Sequence, residues 1–230
     1  MRKFWNWVKN EDGRTLYFDG YIAQDSWFDD DITPKKFKAE LLRDTGDIAV
    51  WLNSPGGDVF AASQIYTMLR EYPGKVTVKI DGIAASAASV IAMAGEEVVM
   101  SPVAMMMIHN PATVIFGEAA ELQSAVKMLG EVKESILNAY EERTQLPRGK
   151  LSAMMDAETW FSAQKAVELG FADKILYAPE ATDAAEGFLF DRLTVTNALL
   201  RKLPRPSREE PAVLPGRSHQ ELMGRLELLK

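Results

Sequence analysis

The chain has 230 residues, which fits one domain or one domain plus an appendage, and its 47% hydrophobic and 26% charged residues, with a formal net charge of −7, are the proportions of a soluble globular protein. The acidic balance argues against nucleic acid as a partner, because a nucleic-acid binder normally presents a basic face. With no cysteine, disulfides, thiolate zinc sites and thiol catalysis are excluded, and no apolar run approaches the ~20 residues that a membrane span needs.

The first residues, MRKFWNWVKNEDG, start basic but lack the apolar core of a signal peptide. Residues 1–13 are therefore set apart as an N-terminal segment of a cytoplasmic protein. RTLYFDGYI (Arg14 to Ile22) alternates and is rich in β-formers, which predicts a strand. In ITPKKFKAELLRDTG, Thr33 can cap a helix, Pro34 suits its first position and Gly46 ends it. DIAVWL (Asp47 to Leu52) reads as a short buried strand. The turn NSPGG then leads into a helix from about Asp58, with Val59, Ala62, Ile65, Tyr66 and Leu69 at helical spacing.

KVTVKI (Lys75 to Ile80) predicts another strand, and DGIAASAAS is read as a turn followed by a helix to about Ala94. EVVM and AMMMIH are strands flanking Ser101-Pro102. A long helix is expected over roughly Glu118 to Arg143, with Leu122, Val126, Leu129, Val132, Ile136 and Tyr140 on one side. RGKLSAMMD is a shorter helix, and WFSAQKAVELGFADKIL gives a strand edge, a helix, a stop at Gly170 and a final strand. This alternation predicts an α/β domain over residues 14–180, and by itself suggests a doubly wound sheet. Residues 181–230 are expected to be a flexible tail. Its last thirty residues carry +3, leaving −10 on residues 1–200, and Pro204, Pro206, Pro211 and Pro215 break regular structure there. HQELMGRLELLK could form a short amphipathic helix through Leu222, Leu226 and Leu229.

The chain has two histidines, and His219 lies in the tail, so a histidine-dependent mechanism in the folded part rests on His109. Metal sites built from several histidines are excluded. His109 stands where AMMMIH gives way to Asn110-Pro111, a place that suits either a structural residue or a general base. NSPGGD reads equally as an ordinary turn or as bare backbone facing a ligand, since Gly56 and Gly57 carry no side chain. DGIAASAAS has the same strand–glycine–helix layout, and a serine opening a helix has free backbone donors beside it. Ser86 and Ser89 are both candidates. A serine nucleophile needs a base, and the base needs an orienting carboxylate, for which Asp156 and Glu158 are candidates among many acids. A serine hydrolase and a binding module both fit these residues.

Taken together, NSPGG, GIAASAAS, MMIHNP and DAETWFSAQKAVELGFADKIL, in this order and spacing, resemble the Clp protease proteolytic subunit family over about Arg14 to Leu176. The resemblance implies a single domain built as a spiral of β-β-α units related to the crotonases, rather than a doubly wound sheet. It implies Ser86 as nucleophile, His109 as base, and the backbone N–H groups of Gly57 and Ala87 as oxyanion donors. It places Glu158 where the family carries an aspartate, with Asp156 as the alternative, and leaves Ser89 to packing. It implies a serine endopeptidase with no cofactor or metal, a polypeptide substrate, self-association into rings, and a Clp-type ATPase as a candidate partner. The aromatic start FWNWVKNEDG, the double AASAAS and the basic, proline-rich tail are similar to the Clp-like proteases of tailed phages and prophages. That branch implies processing of capsid, portal or scaffold protein during head maturation, in the host cytoplasm or the prohead. Two competing expectations are a crotonase-like enzyme that binds acyl-CoA and an inactive assembly or scaffold-binding protein of the same fold.

Overall fold

The structure is a computed structural model that describes residues 5–10, 13–23 and 34–178. Within these, β1 (Trp5–Asn10), β2 (Gly13–Asp19), β3 (Ile48–Ser54), β4 (Val76–Ala85) and β5 (Glu97–Met100) follow one another side by side in a sheet. The short β8 (Lys174–Ile175) pairs with β5 at the far edge. From β2 onward these neighbours are parallel, and the order never reverses. A doubly wound sheet reverses direction at a switch point. With right-handed crossovers, a steady progression instead lays the connecting helices on one face, as in the expected spiral.

Those helices are α1 (Pro34–Leu41), α2 (Val59–Arg70) and α3 (Ala87–Ala92). Strand β3 alternates buried and half-buried residues as far as Leu52, with Asn53 exposed before a buried Ser54, and β4 begins the same way. Leu16, Phe18, Val50, Leu52, Val78 and Ile80 from the sheet meet Ala62, Ile65, Leu69 and Ile91 from the helices in one core. The opposite face is more open, with Tyr17 stacked on Trp51 (6.4 Å between ring centres) and the Lys79 ammonium 5.3 Å from the Trp51 ring.

The segment set apart at residues 1–13 supplies β1, whose six residues pair antiparallel with β2. Helix α1 stops at Leu41, short of Gly46, and Thr33 lies outside the described residues. Beside that end lies Arg14, whose guanidinium sits 4.2 Å over the Trp7 ring. It donates to the carbonyls of Glu40, Leu41 and Asp44 at 2.8–2.9 Å, satisfying acceptors that the helix end and the turn after it offer. The tail, with His219 and the Leu222, Leu226 and Leu229 stripe, lies outside the described residues.

Strand β4 corrects a sequence expectation. It does not turn at Asp81-Gly82 but bulges, shifts register between Leu52 and Ser54 of β3, and runs on to Ala85. A glycine in a strand marks a bulge as readily as a turn. Beyond the bulge, β4 leaves β5 and pairs with β6 (Met105–Ile108), which pairs antiparallel with β7 (Thr159–Ser162). Helices α4 (Ala119–Thr144), α5 (Arg148–Asp156) and α6 (Ala163–Glu168) complete the described fold. The expected apolar side of α4 holds only over its C-terminal half, where Val132, Ile136 and Tyr140 are buried and Tyr140 meets Phe171 edge-on. Leu122 and Val126 are exposed, 43% and 69%, although Ala125 between them is buried.

Candidate active site

Strand direction assembles the site. Strands β3, β4 and β6 run parallel, so their C-terminal ends lie at one edge and deliver Gly57, Ser86 and His109 there. Strand β7 runs antiparallel to β6, with Ile108 opposite Thr159, so the residue before it, Glu158, arrives beside His109.

Ser86 caps α3 with φ 54° and ψ −126°, a conformation that L side chains rarely adopt. Its surroundings hold it there. Its N–H donates to Met107 O at 2.9 Å, and its carbonyl accepts from Ser89 N at 2.9 Å and Ser89 Oγ at 2.6 Å. The strained turn sends Oγ toward the imidazole, with Ser86 Oγ and His109 Nε2 2.7 Å apart. On the other side of the ring, Nδ1 is 4.0 Å from Glu158 Oε2, close enough for electrostatic attraction but too long for a hydrogen bond. Glu158 itself has a left-handed φ of 45°, and its Oε1 accepts from the Trp160 indole N–H at 3.3 Å. Asp156 does not face the histidine ring. Its Oδ1 accepts from Asn110 Nδ2 at 2.8 Å and from Lys133 Nζ at 2.6 Å.

The NSPGG turn is packed against the serine turn. A Cβ on Gly56 would lie 2.7 Å from Ala85 O and 2.8 Å from Ser86 Cβ, and one on Gly57 would lie 2.0 Å from Ile22 O. Both glycines have positive φ, 100° and 146°. Ile22 clamps the turn by donating to Gly56 O and accepting from Asp58 N, each at 2.9 Å. Among the described residues, neither the Gly57 N–H nor the Ala87 N–H has an acceptor. Both residues line a cavity of about 370 Å³ with Ser86 and His109, walled by apolar groups that include Val59, Leu129 and Val132. The same cavity is bounded by the inner end of α4 through Ile136 and Tyr140.

The profile of the Clp protease family matches residues 23–179. The chain belongs to the Clp protease family. Among its relatives are ATP-dependent Clp protease proteolytic subunits. That of Porphyromonas gingivalis is 34% identical over 154 residues, 64% of this chain and 69% of the relative. That of Bacteroides thetaiotaomicron is 32% identical over 154 residues, with 64% and 70% covered. Subunit 1 of Chlamydia muridarum is 29% identical over 171 residues, with 73% and 88% covered. The match of the family profile spans the same blocks on which the resemblance was read.

Ser86, His109, Gly57, Ala87 and Glu158, the residues singled out in the sequence, thus come together at one edge. Asp156 sits one step away, engaged elsewhere. Sequence reading missed four contributors. Asn110 and Lys133 carried no signal, because their shared partner Asp156 lies far along the chain, and Trp160 read only as a strand residue although its partner Glu158 is two positions away. The fourth is Tyr140, which was read only as part of an apolar helix side. Ser89 is buried on α3 and its hydroxyl lies 2.8 Å from that of Tyr140. Since the single Ser89 proton goes to Ser86 O, Tyr140 is the donor to Ser89. Burial pushes the ionisation of Tyr140 far above its ordinary range, which keeps that donor protonated. Among the described residues no group of three or more His, Asp or Glu side chains could hold a metal ion, and no helix is long and apolar enough to cross a membrane.

Proposed function

We propose that this chain is a serine endopeptidase subunit in which Ser86 attacks, His109 moves the proton and Glu158 orients the imidazole. The observation that carries the reading is the 2.7 Å contact between Ser86 Oγ and His109 Nε2 beside two unclaimed backbone donors. His109 Nε2 takes the hydroxyl proton as Oγ attacks the peptide carbonyl. The carbonyl oxygen, now negative, accepts from Gly57 and Ala87 N–H, a type of contact whose loss typically costs ~10²–10³ in kcat. His109 then gives its proton to the leaving amine, and water repeats the sequence on the acyl-enzyme. As the ring becomes positive, attraction shortens the 4.0 Å gap to Glu158, whose side chain is 58% exposed and free to move. Glu158 in place of aspartate suits this role, because its longer arm reaches from a left-handed turn.

The substrate is a polypeptide, and the protein works in the cytoplasm or prohead as self-associated rings. The exposed apolar run Val114 and Phe116, with Leu122 and Val126 on α4, supports association. The finer role is processing of capsid, portal or scaffold protein in phage head maturation; the similarity of the aromatic start, AASAAS and the basic tail to that branch supports it. The relatives, named as ATP-dependent proteolytic subunits, favour a second reading in which a Clp-type ATPase feeds unfolded protein to the same site.

A fluorophosphonate probe tests the chemistry. Wild type is expected to be labelled once per chain and Ser86→Ala not at all; equal labelling of the two would refute the assignment. Cleavage of the cognate capsid protein without an ATPase separates head processing from ATP-driven degradation.

A further inference from the structure

His109 stands one residue beyond the end of β6, so the strand ladder no longer holds its backbone. Something else must fix the chain there, since a base displaced by 1 Å can cost ~10²-fold in rate. Glu158, at 4.0 Å, makes no hydrogen bond to the ring. The next residue, Asn110, does have a firm anchor. Its amide donates 2.8 Å to Asp156 Oδ1, at the last residue of α5, and the same oxygen takes the Lys133 ammonium of α4 at 2.6 Å.

Resting on the peptidase reading, we infer that Asp156 is a positioning residue that sets His109 through Asn110, with Lys133 as its charge partner. Two features make the contact effective. Asn110 precedes Pro111, so its backbone is confined to the extended region and its side-chain anchor sets the direction of the chain at His109. The anchor is also charge-assisted, and such bonds are shorter and stronger than neutral ones. Lys133 first, and Asn110 second, hold the Asp156 carboxyl below its ordinary range, so it is ionised throughout the neutral region. The lysine side chain is only 19% exposed, which limits its freedom to leave. The junction therefore ties the loop after β6, α4 and α5 at a point adjacent to the base. Two acids two residues apart thereby take separate tasks: Glu158 faces the ring, and Asp156 holds the backbone that carries the ring.

The test compares Asp156→Ala, Asp156→Asn and wild type by peptide hydrolysis and by the imidazole NMR signals of the full chain. The chain has two histidines, and a His109→Ala control assigns them. Asp156→Ala is expected to lower kcat by ~10- to 100-fold with KM changed less than about twofold, and to shift or broaden the His109 signal. Asp156→Asn keeps an acceptor oxygen for Asn110 and is expected to restore most of kcat and the wild-type signal. An unmoved His109 signal in Asp156→Ala would overturn the inference, as would a loss confined to KM or to the melting temperature. Asp156→Asn performing no better than Asp156→Ala would also overturn it, since an acceptor oxygen for Asn110 would then do nothing to place the base. Absence of wild-type hydrolysis would refute the peptidase reading instead, while the NMR comparison would still decide the positioning role.

Discussion

The two strand-to-helix turns that meet at the candidate site answer the same geometric demand with different residues. The turn after β3 uses Gly56 and Gly57 at positive φ and an ordinary cap, Asp58, whose carboxylate accepts from Ala61 N at 2.7 Å. The turn after β4 places a serine at positive φ, with no side-chain cap for the short α3. In the first turn the side chains are absent or satisfied, Gly56 N donates to Ser54 Oγ and Asp58 N to Ile22 O, and the Gly57 N–H remains bare. In the second the capping residue has its hydroxyl aimed at His109, so the strain must be held from outside. The holders are Met107, Ser89 and, behind Ser89, Tyr140. A turn that presents only backbone can be built locally; one that presents a reactive side chain depends on distant partners.

The sharpest way to break the first turn is Gly57→Ala. Its Cβ would collide with backbone atoms of Ile22, the nearest at 2.0 Å, so neither side can yield cheaply. The turn is expected to rotate and withdraw its N–H, lowering kcat by ~10²-fold or more; steady-state hydrolysis set against fluorophosphonate labelling would show it. Wild-type kcat would mean that Gly57 N–H takes no part.

The second turn is broken from behind. Ser89→Ala leaves the buried Tyr140 hydroxyl without its acceptor, with an expected loss of about 1–3 kcal/mol in unfolding free energy. Adding Tyr140→Phe is expected to recover part of it, because two matched apolar groups are nearly neutral. Denaturant midpoints of the single and double variants measure both. The smallest effect belongs to the cap of the first turn. Asp58→Ala is expected to cost ~1 kcal/mol of stability with kcat within about twofold of wild type, read in the same denaturation and hydrolysis assays. A kcat loss as large as that of Gly57→Ala would erase the distinction between cap and donor.

Much of this was legible in the chain itself. NSPGG after a buried strand, a serine before small residues, and a histidine closing AMMMIH are local signals. Strand and helix periodicities report which face each residue occupies regardless of what lies opposite. The departures came where a partner far along the chain decides. Asp81-Gly82 has the local pattern of a turn, yet β4 bulges there and continues because β6 offers it a new edge. Helix α1 ends at Leu41, short of Gly46, where Arg14 of β2 satisfies its last carbonyls. The apolar side of α4 splits into buried and exposed halves because the core extends along only part of its length.

By itself, then, the sequence determined the order of strands and helices, the pairing of a glycine turn with a serine turn, and Ser86 and His109 as candidates. Each follows from residue type and spacing within a few positions. Only the tertiary structure decided which acid faces the ring, that Asp156 serves Asn110 and Lys133, and that Ser89 carries a bond to Tyr140 as well as packing. Those choices rest on distances of a few ångströms between residues 3 to 51 positions apart, and strand register sets such distances where local pattern cannot.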